Sequence, residues 1–156
     1  MVVSGRRKYP AHAFPVVFYL MHADVVPSRT QGDPLTHAII GCAIRVHRAL
    51  GPGLLESAYE QCLSYELVKC GFAIRRQVAL PLVYAGVNVE LGFRPDIIVN
   101  DEVILEVKTV SKLLPVHDAQ LLTYLRLSGL QTGLLMNFHS NPLINGIKRL
   151  VLTNPT

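Results

Sequence analysis

Residues 94–108 read Arg94-Pro95-Asp96-Ile97-Ile98-Val99-Asn100-Asp101-Glu102-Val103-Ile104-Leu105-Glu106-Val107-Lys108. Two apolar runs flank Asn100-Asp101-Glu102, which predicts two antiparallel strands joined by a tight turn. The two-residue period of a strand puts Glu106 and Lys108 on one face and Val107 on the other. With a three-residue turn, Asn100 to Glu102, Val99 pairs with Val103 and Asp96 lies opposite Glu106. One face then carries Ile97, Val99, Val103, Leu105 and Val107, all apolar, and the other carries Asp96, Ile98, Ile104, Glu106 and Lys108. A two-residue turn would set Asp96 against Leu105 and mix the two groups. The cleaner partition favours the register that brings the carboxylates together.

Two carboxylates held close in an apolar sheet repel each other and are costly to desolvate, so a positive group is expected between them. A divalent cation with oxygen ligands meets that need, magnesium most naturally or manganese in its place, with Asp96 and Glu106 as its ligands. Such a cation polarises a phosphoryl oxygen and lowers the pKa of a bound water. Lys108 would orient that water or offset charge growing on the phosphate. The plainer alternative is a solvated Glu106–Lys108 pair on an edge strand.

Working outward, Asp33-Pro34 supplies an N-cap and a first-turn proline for a helix reaching about Leu50. Its apolar positions are Ile39, Ile40, Ala43, Val46 and Leu50, and Gly51-Pro52 stops it. A second helix over residues 54–70 carries the stripe Leu55, Ala58, Tyr59, Cys62, Leu63 and Leu67 and ends at Gly71. The period then changes, and residues 72–80, 82–91, 93–99 and 103–110 predict a four-stranded meander. Helical spacing returns over 116–127 with Gly129 as terminator, residues 132–138 form an apolar strand, and 143–152 fit either period. The order describes an α/β domain, a mixed central sheet flanked by helices.

Two helical constellations bear on the site. Glu56 and Tyr59 stand three apart on one helix face, and Gln120 and Tyr124 four apart on another. Glu56 also reads as a first-turn acid favoured by the helix dipole, and both tyrosines read equally as core residues with wet hydroxyls. Gly53, Glu56 and Tyr59, together with Val46-His47-Arg48, Leu50-Gly51-Pro52-Gly53, Arg94 with Asp96, Glu106 with Lys108, Asn137-Phe138 and Gly146-Ile147-Lys148-Arg149, resemble the GxxExxY family. That family is a branch of the PD-(D/E)XK superfamily, and the likeness runs from about Leu35 to Leu152. Gln120 and Tyr124 also resemble the QxxxY motif of RecB-type nucleases, whose glutamine and tyrosine sit beside the metal. The resemblance implies a restriction-endonuclease-like fold, metal ligation by Asp96 and Glu106, an outer contribution from Glu56, and catalytic support from Lys108. It makes DNA or RNA the expected partner and phosphodiester hydrolysis the expected reaction. The competing expectation is a catalytically silent module that keeps the fold and binds nucleic acid or protein.

The bulk composition is compatible with either. A chain of 156 residues, 50% hydrophobic, is long enough for one core and too short for two. Half of the +4 net charge falls before residue 34, so the body carries too small an excess to argue for nucleic acid by itself. Cys42, Cys62 and Cys70, odd in number and without CxxC spacing, read as reduced, buried thiols of a cytoplasmic protein. The apolar stretch over 14–21 is far shorter than the ~20 residues of a membrane span, and no small-residue cleavage site follows it. His47 reads as a helix-terminal or hydrogen-bonded histidine, and His117 as a surface residue near a helix start. Arg45, Arg48, Arg75, Arg76, Lys112, Arg126, Lys148 and Arg149 read as scattered surface charge. Residues 1–33 read as a poorly ordered extension, with Met21 as an alternative start. Deleting residues 1–32 is expected to leave the melting temperature within a few degrees, whereas a much larger loss would mean that the apolar stretch packs into the core.

Overall fold

Helix α1 spans Pro34–Leu50 and starts as its sequence demands: Asp33 Oδ1 accepts from the Thr36 amide at 2.9 Å, and Pro34 occupies the first turn. It buries Ile39, Cys42, Ala43, Val46 and His47 and ends at Gly51, whose φ of 69° lies in the region glycine favours. Helix α2 spans Glu56–Lys69 and buries Tyr59, Leu63 and Leu67. The computed structural model, which describes residues 33–89 and 92–153, corrects two details of the predicted stripes. Leu50 and Leu55 are exposed, because each lies at a helix end beyond the turn that faces the sheet. Of the three thiols only Cys42 is buried. Cys62 lies off the Tyr59–Leu63–Leu67 face, and Cys70 closes α2 as its C-cap.

The strands are β1 (Ile74–Arg76), β2 (Leu82–Tyr84), β3 (Val87–Val89), β4 (Ile97–Val99), β5 (Val103–Lys108), β6 (Thr132–Asn137) and β7 (Ile147–Val151). They do not form the expected meander. The main sheet runs β1-β4-β5-β6-β7, parallel between β5 and β6 and antiparallel elsewhere, and β2 and β3 pair only with each other. Strand β1 meets β4 directly, and the contact continues through Gln77 N to Asp96 O and Leu80 N to Phe93 O. The β2–β3 hairpin is an excursion between the two halves of this ribbon. Pro81 and Pro95, each lacking an amide hydrogen, interrupt the continuous strands that alternation alone suggests. The expected strand over 82–91 runs partly outside the described residues, as does nearly all of the extension over 1–33.

The turn between β4 and β5 holds the three-residue register. Val99 pairs with Val103, Ile98 with Ile104 and Ile97 with Leu105, while Asn100 and Asp101 take positive φ of 52° and 55°. The predicted partition of faces follows. Ile97, Val99, Val103, Leu105 and Val107 join α1 and α2 in one core layer, and Ile98 and Ile104 join helix α3 (Pro115–Ser128) in the other. Gly133 lets α3 approach closely, since a Cβ there would lie 2.7 Å from Leu121 Cδ1. The ambiguous tail resolves into a short 3₁₀ turn, Leu143–Gly146, followed by β7. Among the described residues no helix is long and apolar enough to cross a membrane.

Candidate metal centre

Glu106 and Lys108 emerge from the C-terminal end of β5 on the α3 side of the sheet, the same side as Ile104. Asp96 lies just before β4, and its Oδ2 accepts from the Val107 amide at 2.8 Å, which pins it beside Glu106. Lys108 Nζ donates to Glu106 Oε1 at 3.0 Å and to Gln120 Oε1 at 2.9 Å, and Gln120 Nε2 donates to the Tyr124 hydroxyl at 3.0 Å. The four-residue spacing of Gln120 and Tyr124 on α3 thus delivers a chain of hydrogen bonds running from Glu106 to Tyr124. Asp96, Glu106, Lys108, Gln120 and Tyr124 form one cluster.

Glu56 approaches from the other helical layer and touches the backbone at the strand end, not the side chains of this cluster. Its Oε1 accepts from the Thr109 amide at 3.3 Å, so the start of α2 is tied to the residue after Lys108. Tyr59 belongs to the core: its ring stacks on Phe138 with centroids 4.5 Å apart, and its hydroxyl donates to the Gly51 carbonyl and accepts from the Leu54 amide. It shapes the Gly51–Leu54 turn that leads into Glu56. Asn137 is buried and splints the end of β6 to the segment after β5, accepting from the Val110 amide and donating to the Val110 carbonyl at 2.7 Å. His47 is buried with its Nε2 unpartnered, and His117 Nδ1 accepts from the Leu114 amide at the start of α3. Arg45, Arg75, Arg76, Lys148 and Arg149 are drawn into ion pairs with Glu66, Asp101, Glu60, Asp118 and Asp33.

A third carboxylate, which the sequence reading did not select, stands beside Asp96. Glu60 is buried on α2, accepts from Arg76 through Oε1 at 3.0 Å, and accepts from Gln77 Nε2 through Oε2 at 3.0 Å. The same Gln77 nitrogen donates to Asp96 Oδ1 at 3.1 Å, so one amide bridges two acids. Gln77 has a φ of 49°, a conformation that costs a non-glycine residue energy and recurs where surrounding structure holds a side chain in place. Buried Glu60 follows Tyr59 on the core side of α2, a placement that would have flagged it, because a carboxylate there needs partners.

The electrostatics concentrate on Glu106. Burial and the neighbouring Asp96 charge push its carboxyl up to about 7, with Lys108 pulling only part of the way back. Burial likewise raises Asp96, against the Val107 amide, with Glu60 adding to the rise. Tyr124 is raised by burial and by Glu106. Glu106 Oε2 is a buried oxygen with no hydrogen-bond partner. An orphaned anionic oxygen beside a second acid is a place where a cation fits. Among the described residues no cluster of three or more His, Cys, Asp or Glu side chains is arranged to hold a metal. Two carboxylates nevertheless suffice for magnesium, which usually keeps several waters and shares phosphate oxygens with its substrate.

The chain belongs to the PD-(D/E)XK nuclease superfamily, whose family model matches residues 33–150. Nucleases of this superfamily typically use divalent metals. No curated protein and no solved structure matches the chain.

Proposed function

We propose that this protein is a magnesium- or manganese-dependent nuclease of the GxxExxY branch that hydrolyses phosphodiester bonds in DNA or RNA. Asp96 and Glu106 would hold the cation. The observation that carries the reading is the buried, partnerless Glu106 Oε2 beside Asp96, an arrangement that is costly unless positive charge enters it. When bound, the cation supplies polarisation of a phosphoryl oxygen and a water acidic enough to attack near neutral pH. Lys108 commits two of its three N–H groups to Glu106 and Gln120, which leaves the third for a phosphate oxygen or for that water. Gln120 and Tyr124 keep the ammonium group aimed, since Lys108 would otherwise swing among many rotamers. Glu56 holds the backbone at Thr109 and so fixes where the strand end presents Lys108.

Differential scanning of the purified protein tests the cation site. Magnesium or manganese at a hundredfold excess over its dissociation constant is expected to add ~2.7 kcal/mol of stability, and Glu106→Gln to erase that increment. The same preparations, assayed on single-stranded, duplex and branched DNA and RNA, report cleavage. A parent protein whose melting temperature ignores both metals, and which cuts none of these substrates, would remove the enzyme reading.

A further inference from the structure

A second group of reactive side chains lies between α1 and the end of α2, and neither Asp96 nor Glu106 takes part in it. Arg45 Nη2 is 3.2 Å from Cys42 Sγ and 2.9 Å from Cys70 Sγ, so a single guanidinium nitrogen touches both sulfurs. Glu66 Oε1 accepts from Arg45 Nε at 2.6 Å and fixes the fork beside the thiols. Cys42 is buried, whereas Cys70 is exposed. Both line a cavity of about 380 Å³, together with His37 and Phe72, which gives a small reagent a route to the pair. Burial, and next the hydrogen bond to Cys70, push the Cys42 thiol up to about 11. Cys42 therefore keeps its proton, and Cys70 is the sulfur that solvent and the arginine both reach.

We propose that Cys42 and Cys70 form a redox-active dithiol, a modification site for low-molecular-weight disulfides such as oxidised glutathione, that closes into an intramolecular disulfide. In the first step the Cys70 sulfur attacks one sulfur of the small disulfide as its proton passes to solvent, forming a mixed disulfide and releasing one small thiolate. Cys42 then gives its proton to solvent or to that thiolate, attacks the Cys70 sulfur and expels the second small thiol. Two protein thiols are oxidised and one small disulfide is reduced; the two protons released by the cysteines are matched by the two that the departing thiolates take up, giving two small thiols. Arg45 places positive charge against the sulfurs on which negative charge gathers in both steps. The bridge ties the middle of α1 to the end of the helix that carries Glu56 and Glu60.

The test uses the full reduced chain, which has three cysteines, and oxidised glutathione as the oxidant. Free thiols are expected to fall from three to one, with the intact mass lower by two hydrogens and no glutathione retained. The melting temperature is expected to rise by several degrees, and dithiothreitol to reverse every change. Cys70→Ser, at an exposed position that leaves folding intact, is expected to abolish closure, and Arg45→Gln to slow it several-fold. Three surviving thiols, a stable mixed disulfide on Cys70, or a bond that includes Cys62 would each overturn the proposal, and none of these results depends on whether the chain cleaves nucleic acid.

Discussion

Glu106→Gln and Asp96→Asn are each expected to lower magnesium-dependent cleavage of nucleic acid by ~10³-fold or more while the domain stays folded. Glu106→Gln is the cleaner change. The glutamine oxygen can still accept from Lys108 Nζ, as Glu106 Oε1 does, so the lysine stays in place while the orphaned anionic oxygen disappears. Asp96→Asn can keep the Val107 amide bond, but its new NH₂ group would face Gln77 Nε2, and turning the Gln77 amide to relieve that contact breaks its bond to Glu60. Lys108→Met separates chemistry from cation binding. It is expected to lose ~10²-fold or more in turnover and to retain the magnesium-induced rise in melting temperature, because lysine donates no ligand. Measured rates within ~10-fold of the parent for Glu106→Gln would take the carboxylate pair out of the reaction and leave Glu106 as the structural partner of Lys108.

The parts of this site that were legible in the sequence are those governed by a fixed local period. Strand parity alone placed Glu106 with Lys108, and the apolar partition chose the Asn100–Glu102 turn over its two-residue rival, which the Val99–Val103 pairing bears out. Helical spacing likewise put Gln120 and Tyr124 on one face of α3. Pairing between distant segments has no such local signature. Strand β1 could not be joined to β4 by alternation, because the intervening hairpin looks like the next members of a meander. The partners of Glu60 were hidden for that reason, since Arg76 and Gln77 reach it only once β1 is paired to β4 and Gln77 adopts positive φ, although its place beside Tyr59 on the buried side of α2 was open to the helical period. The cysteines failed on a different ground. A stripe of apolar residues wider than the face that meets the sheet counted Cys62 as buried, while Tyr59, Leu63 and Leu67 fill that face without it.

Stability of the metal-free protein is expected to fall as pH rises from about 4.5 to about 7, a window set by the ordinary carboxyl value and the raised Glu106 value. The sign follows from which state holds the proton. In the unfolded chain Glu106 releases it near 4.5, while in the folded chain burial and Asp96 hold it to about 7, so within the window the folded state binds more protons. Below the window both states are protonated and the full stability is present. Above it the folded protein carries a buried charge, and a shift of this size is worth about 3 kcal/mol. The raised Asp96 carboxyl acts in the same direction. Glu106→Gln should flatten the profile and leave the variant more stable than the parent above pH 7. Magnesium should act in the opposite sense, favouring the charged carboxylates, so its stabilising effect should be small at pH 5 and grow toward pH 8, with proton release on binding in between. Urea melts at a series of pH values, with and without magnesium, measure all of this. A parent whose stability rises through the window, together with a destabilised Glu106→Gln, would mean that the Lys108 ion pair outweighs desolvation and that no cation is needed to balance the acids.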